Sequence, residues 1–198
     1  MASLEDIKKL RDMTGAGMMS AKRALEEADG NFELAIEILR KAGEATAAKK
    51  ADRDASCGIV ESYIHGGRIG VIVEVNCETD FVARTEEFKN FAHDIAMQVA
   101  AASPGYLNPS DVPEAVIKAE KEIFMADLSA QNKPADVLEK IIQGKIDKFY
   151  ESACLTKQVY VKDPDQTIEQ LTKTLIAKLG ENIVIRRYNR LELGVYDN

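Results

Sequence analysis

The sequence predicts an α+β fold: an N-terminal three-helix module, a linker, and a core in which helices pack on one side of a small, mainly antiparallel sheet. Three observations predict it. Apolar residues recur at helical spacing through residues 1–43. The period then drops to two, in two β-branched runs separated by Gly66-Gly67. Helical spacing returns at Thr85 and persists, broken only by short strand-like runs near Tyr160 and Ile185. The predicted divisions are residues 1–43, a linker at 44–55, and the core at 56–198.

The elements follow in order. Leu4, Ile7, Leu10 and Arg11 keep helical spacing up to Thr14-Gly15-Ala16-Gly17, where glycines permit positive φ. A second helix is predicted from Ser20, read as its N-cap, to Ala28, with a turn at Asp29-Gly30-Asn31. Phe32, Ala35, Ile36 and Leu39 mark a third, closed by Gly43. Residues 44–55, rich in Ala and charge, read as a helical or extended linker. Residues 58–65 and 68–76 read as a hairpin about Gly66-Gly67, with Ile69, Val71, Val73 and Val75 on one face. Residues 79–83 read as a loop, followed by a helix capped by Thr85 and running through Ala101. Pro104-Gly105 ends it, and Pro109 and Pro113 introduce another from Glu114 to Ser129. Residues 135–153 read as a helix, 159–161 as a short strand, Asp163-Pro164-Asp165 as a turn, 167–179 as a helix and 183–188 as the closing strand.

Composition narrows the function. Among 198 residues, 45% are hydrophobic and 30% charged, as in a globular chain. The net charge of −7 is concentrated in residues 86–139, where ten acidic side chains face four basic ones. No basic stripe appears and Trp is absent, which excludes a phosphate-tracking or base-stacking nucleic-acid surface. No apolar run approaches the ~18 residues that span a bilayer, so no membrane partner is expected. The start, MASLEDIKKL, has neither a signal-peptide core nor Arg-rich transit character, and a cytoplasmic protein is expected.

Chemistry-bearing residues are sparse. Cys57, Cys77 and Cys154 form no CxxC and fit buried thiols in a reducing compartment. An enzyme reading would pair Cys77 with His65 or His93, but no third, activating group stands at a recognisable spacing. A zinc site from Cys57, His65 and Cys77 would lack a close ligand pair. Gly15-Ala16-Gly17 follows no strand and precedes no GK[ST], so it is not a phosphate loop. No catalytic residue, metal or cofactor is therefore expected. Two features point elsewhere. Met18-Met19 beside a glycine turn suits either core packing or a partner groove. Phe81, after Asp80 in a predicted loop, suits either a folded-back aromatic or an anchor for another protein.

The residues that carry these features also carry a resemblance. LRDMTGAGMMSAKRAL and DGNFELAIEILRKAG closely resemble the N-terminal domain of the elongation factor Ts family, and VEVNCETDFVAR resembles its most diagnostic segment. IAMQVAAASP, KIDKFYESACLTKQVYV and GENIVIRRYNRLELG continue the match in family order along almost the whole chain.

The resemblance implies a guanine-nucleotide exchange factor for the GTPase elongation factor Tu, bound in its GDP-loaded and nucleotide-free forms. It implies a ubiquitin-associated-like N-terminal domain that docks on the GTPase through Arg11, Met18, Met19 and Lys22. It implies that residues Thr79, Asp80, Phe81 and Val82 disturb the partner's Mg²⁺ site, with Phe81 entering an apolar pocket between partner helices. Gln98 stands where many relatives have His, and matches a further contact position. Because residues 79–84 lead directly into residues 95–101, the core resembles the short, single type, which is associated with homodimers. The competing classes are a Cys77 enzyme and an adaptor whose first 45 residues act alone on ubiquitin-like partners.

Overall fold

The computed structural model describes residues 2–129 and 134–195. Helices α1 (Leu4–Thr14), α2 (Met18–Glu27) and α3 (Phe32–Lys50) open the chain. The Ser3 hydroxyl caps α1 by accepting the Asp6 amide, and left-handed Gly15 closes it. Ile7, Leu10, Ala21, Ala24, Leu25, Ala28 and Ala35 form the core of this module, with Phe32, Ile36 and Leu39 packed against it.

Two boundaries differ from the sequence reading. Helix α2 begins at Met18 with Gly17 as its cap residue, not at Ser20. Helix α3 does not stop at Gly43 but runs to Lys50, so of the two forms expected for the linker, residues 44–50 take the helical one. The Ala-rich run favours helix, and nothing at Gly43 demands a break: a Cβ there would lie 3.5 Å from the Ala177 methyl, an ordinary van der Waals contact.

Strands β1 (Cys57–His65) and β2 (Ile69–Cys77) form the predicted hairpin, turning through Gly66 and Gly67, both at positive φ. Strand β5 (Ile183–Glu192) pairs with β2 to give the order β1-β2-β5. The pairing is antiparallel, because the Leu193 amide bonds Arg68 O at the start of β2 while Arg186 reaches Asn76 near its end. Val71, Val73 and Val75 are buried, as the alternation predicts, whereas Ile72 faces solvent.

Between β2 and the long helix α5 (Glu86–Ala102) lies α4 (Asp80–Ala83), one helical turn where a loop was expected. Thr85 caps α5 as predicted, its hydroxyl accepting the Phe88 amide at 3.3 Å. Helices α6 (Glu114–Ser129) and α7 (Ala135–Ala153) pack on each other. Strands β3 (Val159–Tyr160) and β4 (Asp163–Thr167) form a second, antiparallel sheet. The predicted turn at Asp163-Pro164-Asp165 is therefore strand, and the reversal falls at residues 161–162. Pro164 is tolerated because a two-stranded ribbon leaves one side of each strand unpaired. Helix α8 (Ile168–Leu179) precedes β5.

The chain divides into two compact units. One comprises Met1–Glu61, Val73–His93 and Gln170–Arg186; the other Ser62–Ile72, Asp94–Glu169 and Arg187–Asn198. The first has Val73, Val75, Phe88, Ala92, Ile176 and Ile183 among its buried residues. The second buries Val71, Ile95, Val99, Ile146, Leu155 and Ile168.

Candidate functional site

The sequence-predicted contact residues, Gln98 apart, fall in the first unit. In its helical module, Arg11 lies in the last turn of α1, where a cation suits the helix dipole. Its guanidinium bonds Asp12 at 2.6 and 2.9 Å and reaches the Met18 sulfur at 3.9 Å. The two methionines divide: Met18 packs partly onto the module core, while Met19 is 67% exposed. Lys22 is exposed one turn on, with only a loose 3.8 Å ion pair to Glu26. Arg11, Met19 and Lys22 thus present two cations and a flexible thioether to solvent, with Met18 half-buried beside Arg11.

The second cluster surrounds α4. Thr79 is extended, and its hydroxyl accepts the Val82 amide at 3.4 Å, starting the turn. The Thr85 hydroxyl donates to Val82 O at 2.8 Å and closes it. Ala83 is buried, Val82 partly so, and Asp80 pairs with Arg84 at 2.7 Å. Phe81 points out of this turn and is 77% exposed. Of its two sequence readings, the folded-back aromatic is the one the structure does not show. The phenyl ring is thus exposed on a turn whose backbone is held at both ends.

Gln98 is corrected. It is fully buried in the second unit, where its amide donates to Val159 O at 3.1 Å and to Gln158, and accepts the Val161 amide at 2.9 Å. A side chain so enclosed organises its own core and is no surface contact. The signal was present: Gln98 lies three residues after Ile95 and seven after Phe91, both buried on the inner side of α5.

A nucleophilic cysteine is not supported. Cys77 is fully buried, its thiol donates to Thr79 O at 3.1 Å, and burial, aided by the Glu181 charge, pushes its pKa up to about 11. At neutral pH it stays protonated, the opposite of what attack requires. Among the described residues, no group of three or more His, Cys, Asp or Glu side chains could hold a metal ion. No described helix is long and apolar enough to cross a membrane.

Two exposed faces on one compact unit, with Cys77 buried and protonated at the end of β2, suit the class of factor that docks on a partner. The comparisons give that class its family. The family described as Elongation factor TS matches residues 8–175. The elongation factor Ts of Caldanaerobacter subterraneus subsp. tengcongensis is 56% identical over 195 residues, covering 98% of each chain. That of Carboxydothermus hydrogenoformans is 57% identical over 98% of this chain and 90% of its own. The Moorella thermoacetica protein is 55% identical over 98% and 96%. The chain belongs to the elongation factor Ts family, the nucleotide exchange factors that serve elongation factor Tu in translation elongation.

Proposed function

We propose that this chain releases GDP from elongation factor Tu by docking its helical module through Arg11, Met18, Met19 and Lys22 and driving Phe81 into an apolar pocket of the GTPase. Asp80 enters beside it, near the Mg²⁺ that bridges the nucleotide phosphates to the partner. The observation that carries this reading is Phe81 itself, 77% exposed on a turn held by hydrogen bonds at both ends.

An exchange factor can use only one quantity: the difference between its affinity for the nucleotide-free and nucleotide-bound partner. Linkage makes the effect reciprocal, so nucleotide weakens the factor as much as the factor weakens nucleotide. Displacing Mg²⁺ removes the largest local charge holding the phosphates. A carboxylate brought close offers the cation an alternative ligand, and a buried phenyl ring supplies binding energy available only when the pocket opens.

The test is release of fluorescent GDP from elongation factor Tu at fixed Mg²⁺. Substoichiometric chain is expected to accelerate release, and Cys77→Ser is expected to leave the acceleration intact. No acceleration with an active partner overturns the reading, and loss of function in Cys77→Ser restores the enzyme class. Residues 1–45 acting alone would favour the adaptor.

The working form is proposed to be a cytoplasmic homodimer, so that two chains engage two GTPases. The second unit supports this: Ile64, Ile72, Leu191, Leu193 and Val195 are all exposed large apolar residues at one end of the hairpin and β5. Such exposed apolar surface marks a protein contact. Ile72→Glu is expected to convert a dimer into a monomer in sedimentation; a wild-type chain sedimenting as monomer at micromolar concentration would refute it.

A further inference from the structure

A helix of one turn does not sustain itself, because nucleation fixes several dihedrals for one hydrogen bond. Helix α4 is four residues long, yet it holds Phe81 in a defined place. What holds it lies far away in sequence. The Glu181 carboxylate accepts the Thr79 hydroxyl at 2.6 Å through Oε1 and the Thr79 amide at 3.0 Å through Oε2. One residue to either side the arrangement reverses: Glu78 Oε1 accepts the Asn182 amide at 2.7 Å. Residues 78–79 and 181–182 thus exchange two carboxylates for two backbone N–H groups. The Asn182 amide, with Arg53 nearby, holds the Glu78 carboxyl below its ordinary pKa, so this half of the clamp is ionised at neutral pH.

The polarity of the chain of bonds is set by Glu181. The Thr79 hydroxyl has one proton. Because that proton is given to the carboxylate, the oxygen lone pairs turn to the Val82 amide, which is the cap that starts α4. The same loop holds a second segment. Lys50, the last residue of α3, donates to Gly180 O, and the Asn182 side chain donates to Ala51 O at 3.2 Å and Arg53 O at 2.8 Å. Residues 180–182 therefore tie the end of the docking module's longest helix and the segment bearing Phe81 to one point.

We propose that Glu181 is a positioning residue for exchange: it touches neither partner nor nucleotide, but locks the Thr79 cap so that Phe81 is ordered before docking. This rests on the exchange reading above. Without the lock, each encounter must order the turn first, and preorganisation of this kind is what raises the productive fraction of encounters.

The experiment measures GDP release from elongation factor Tu across factor concentrations, with hydrogen exchange at the Val82 and Ala83 amides of the free chain. Losing a charge-assisted bond is expected to cost Glu181→Ala about 10-fold in maximal release rate, with the half-saturating concentration moving less than about 3-fold because the docking face is intact. Amide exchange at Val82 and Ala83 is expected to rise about 10-fold. Thr79→Val should behave like Glu181→Ala, whereas Thr79→Ser, which keeps the hydroxyl, should restore the rate. If Glu181 acts through Phe81, then Phe81→Ala/Glu181→Ala releases GDP as slowly as Phe81→Ala alone. Equal slowing by Glu181→Ala in both backgrounds, or unchanged amide protection, overturns the proposal. A wild-type chain that never accelerates release overturns the exchange reading instead, while the amide arm still judges the clamp. If Glu181→Ala does not fold, Glu181→Gln replaces it: it keeps an acceptor for the hydroxyl but turns an amide NH₂ toward the Thr79 N–H, and the same outcomes decide.

Discussion

Phe81→Ala is expected to slow catalysed GDP release by about 10- to 100-fold, since full burial of a phenyl side chain is worth about 1.5–3 kcal/mol and each tenfold corresponds to about 1.4 kcal/mol. The same substitution should leave the free protein nearly as stable as before. Phe81 is 77% exposed, so its removal opens no cavity, and changes at such sites stay within about 0.5 kcal/mol. That combination separates a wedge from a structural residue. Phe81→Leu, which keeps part of the apolar area, should fall between the two. The measurement is stopped-flow release at saturating factor, paired with a thermal unfolding scan of the factor alone. Unchanged release and complex affinity in Phe81→Ala would refute the wedge. A lowered unfolding midpoint accompanying the lost rate would assign Phe81 to the fold.

How much of this was legible depended on the distance over which the deciding interaction acts. The alternation at residues 69–75 is local, and the buried face of β2 followed from it directly. The Thr85 cap is also local, since donor and acceptor lie three residues apart. The end of α3 was misread because Gly43 is a helix terminator in isolation, whereas the Ala-rich run after it carries the helix on to Lys50. Residues 79–83 looked like a loop because a turn that short has no periodicity to detect. Thr79 as its cap was visible in principle, but Glu181 lies 102 residues from Thr79, and no spacing rule joins them. Gln98 was misplaced for another reason. Its contact role came from the resemblance and not from its place on α5; its helical position beside Ile95 is inward, and the burial is made tolerable by three hydrogen bonds from residues 158–161. The exposed Phe81 shows the reverse conflict, an apolar residue where local rules ask for a polar one, and such conflicts concentrate at functional sites.

Gly58→Ala is expected to be among the most damaging single-methyl additions the chain can suffer. Gly58 lies in β1 at a φ of +145°, a conformation L side chains rarely adopt. A Cβ there would sit 2.1 Å from Val75 O and 2.7 Å from Asn76 Cα, so the backbones of β1 and β2 must part. The parting falls on a connected set of bonds. Asn76 Nδ2 donates to Cys57 O at 3.1 Å, and Asn76 Oδ1 accepts Arg186 Nε at 3.0 Å. The Arg186 guanidinium in turn donates to Ala55 O at 3.2 Å. Strain and broken bonds together place the loss at about 4 kcal/mol, at the upper end for a point substitution. A drop of this size lowers the unfolding midpoint by more than about 8 °C in a chain of this length. The disturbance begins three residues before Thr79, so exchange activity should fall with it. Gly70→Ala is the control in the paired strand: its Cβ would meet only the flexible Cδ1 of Ile64, at 3.3 Å, and a loss within about 1 kcal/mol is expected. Thermal unfolding of both variants decides the matter. If the two glycines prove equally tolerant, the close approach of β1 to β2 at Gly58 is not a feature of the protein in solution, and Asn76 and Arg186 have no strand junction to hold.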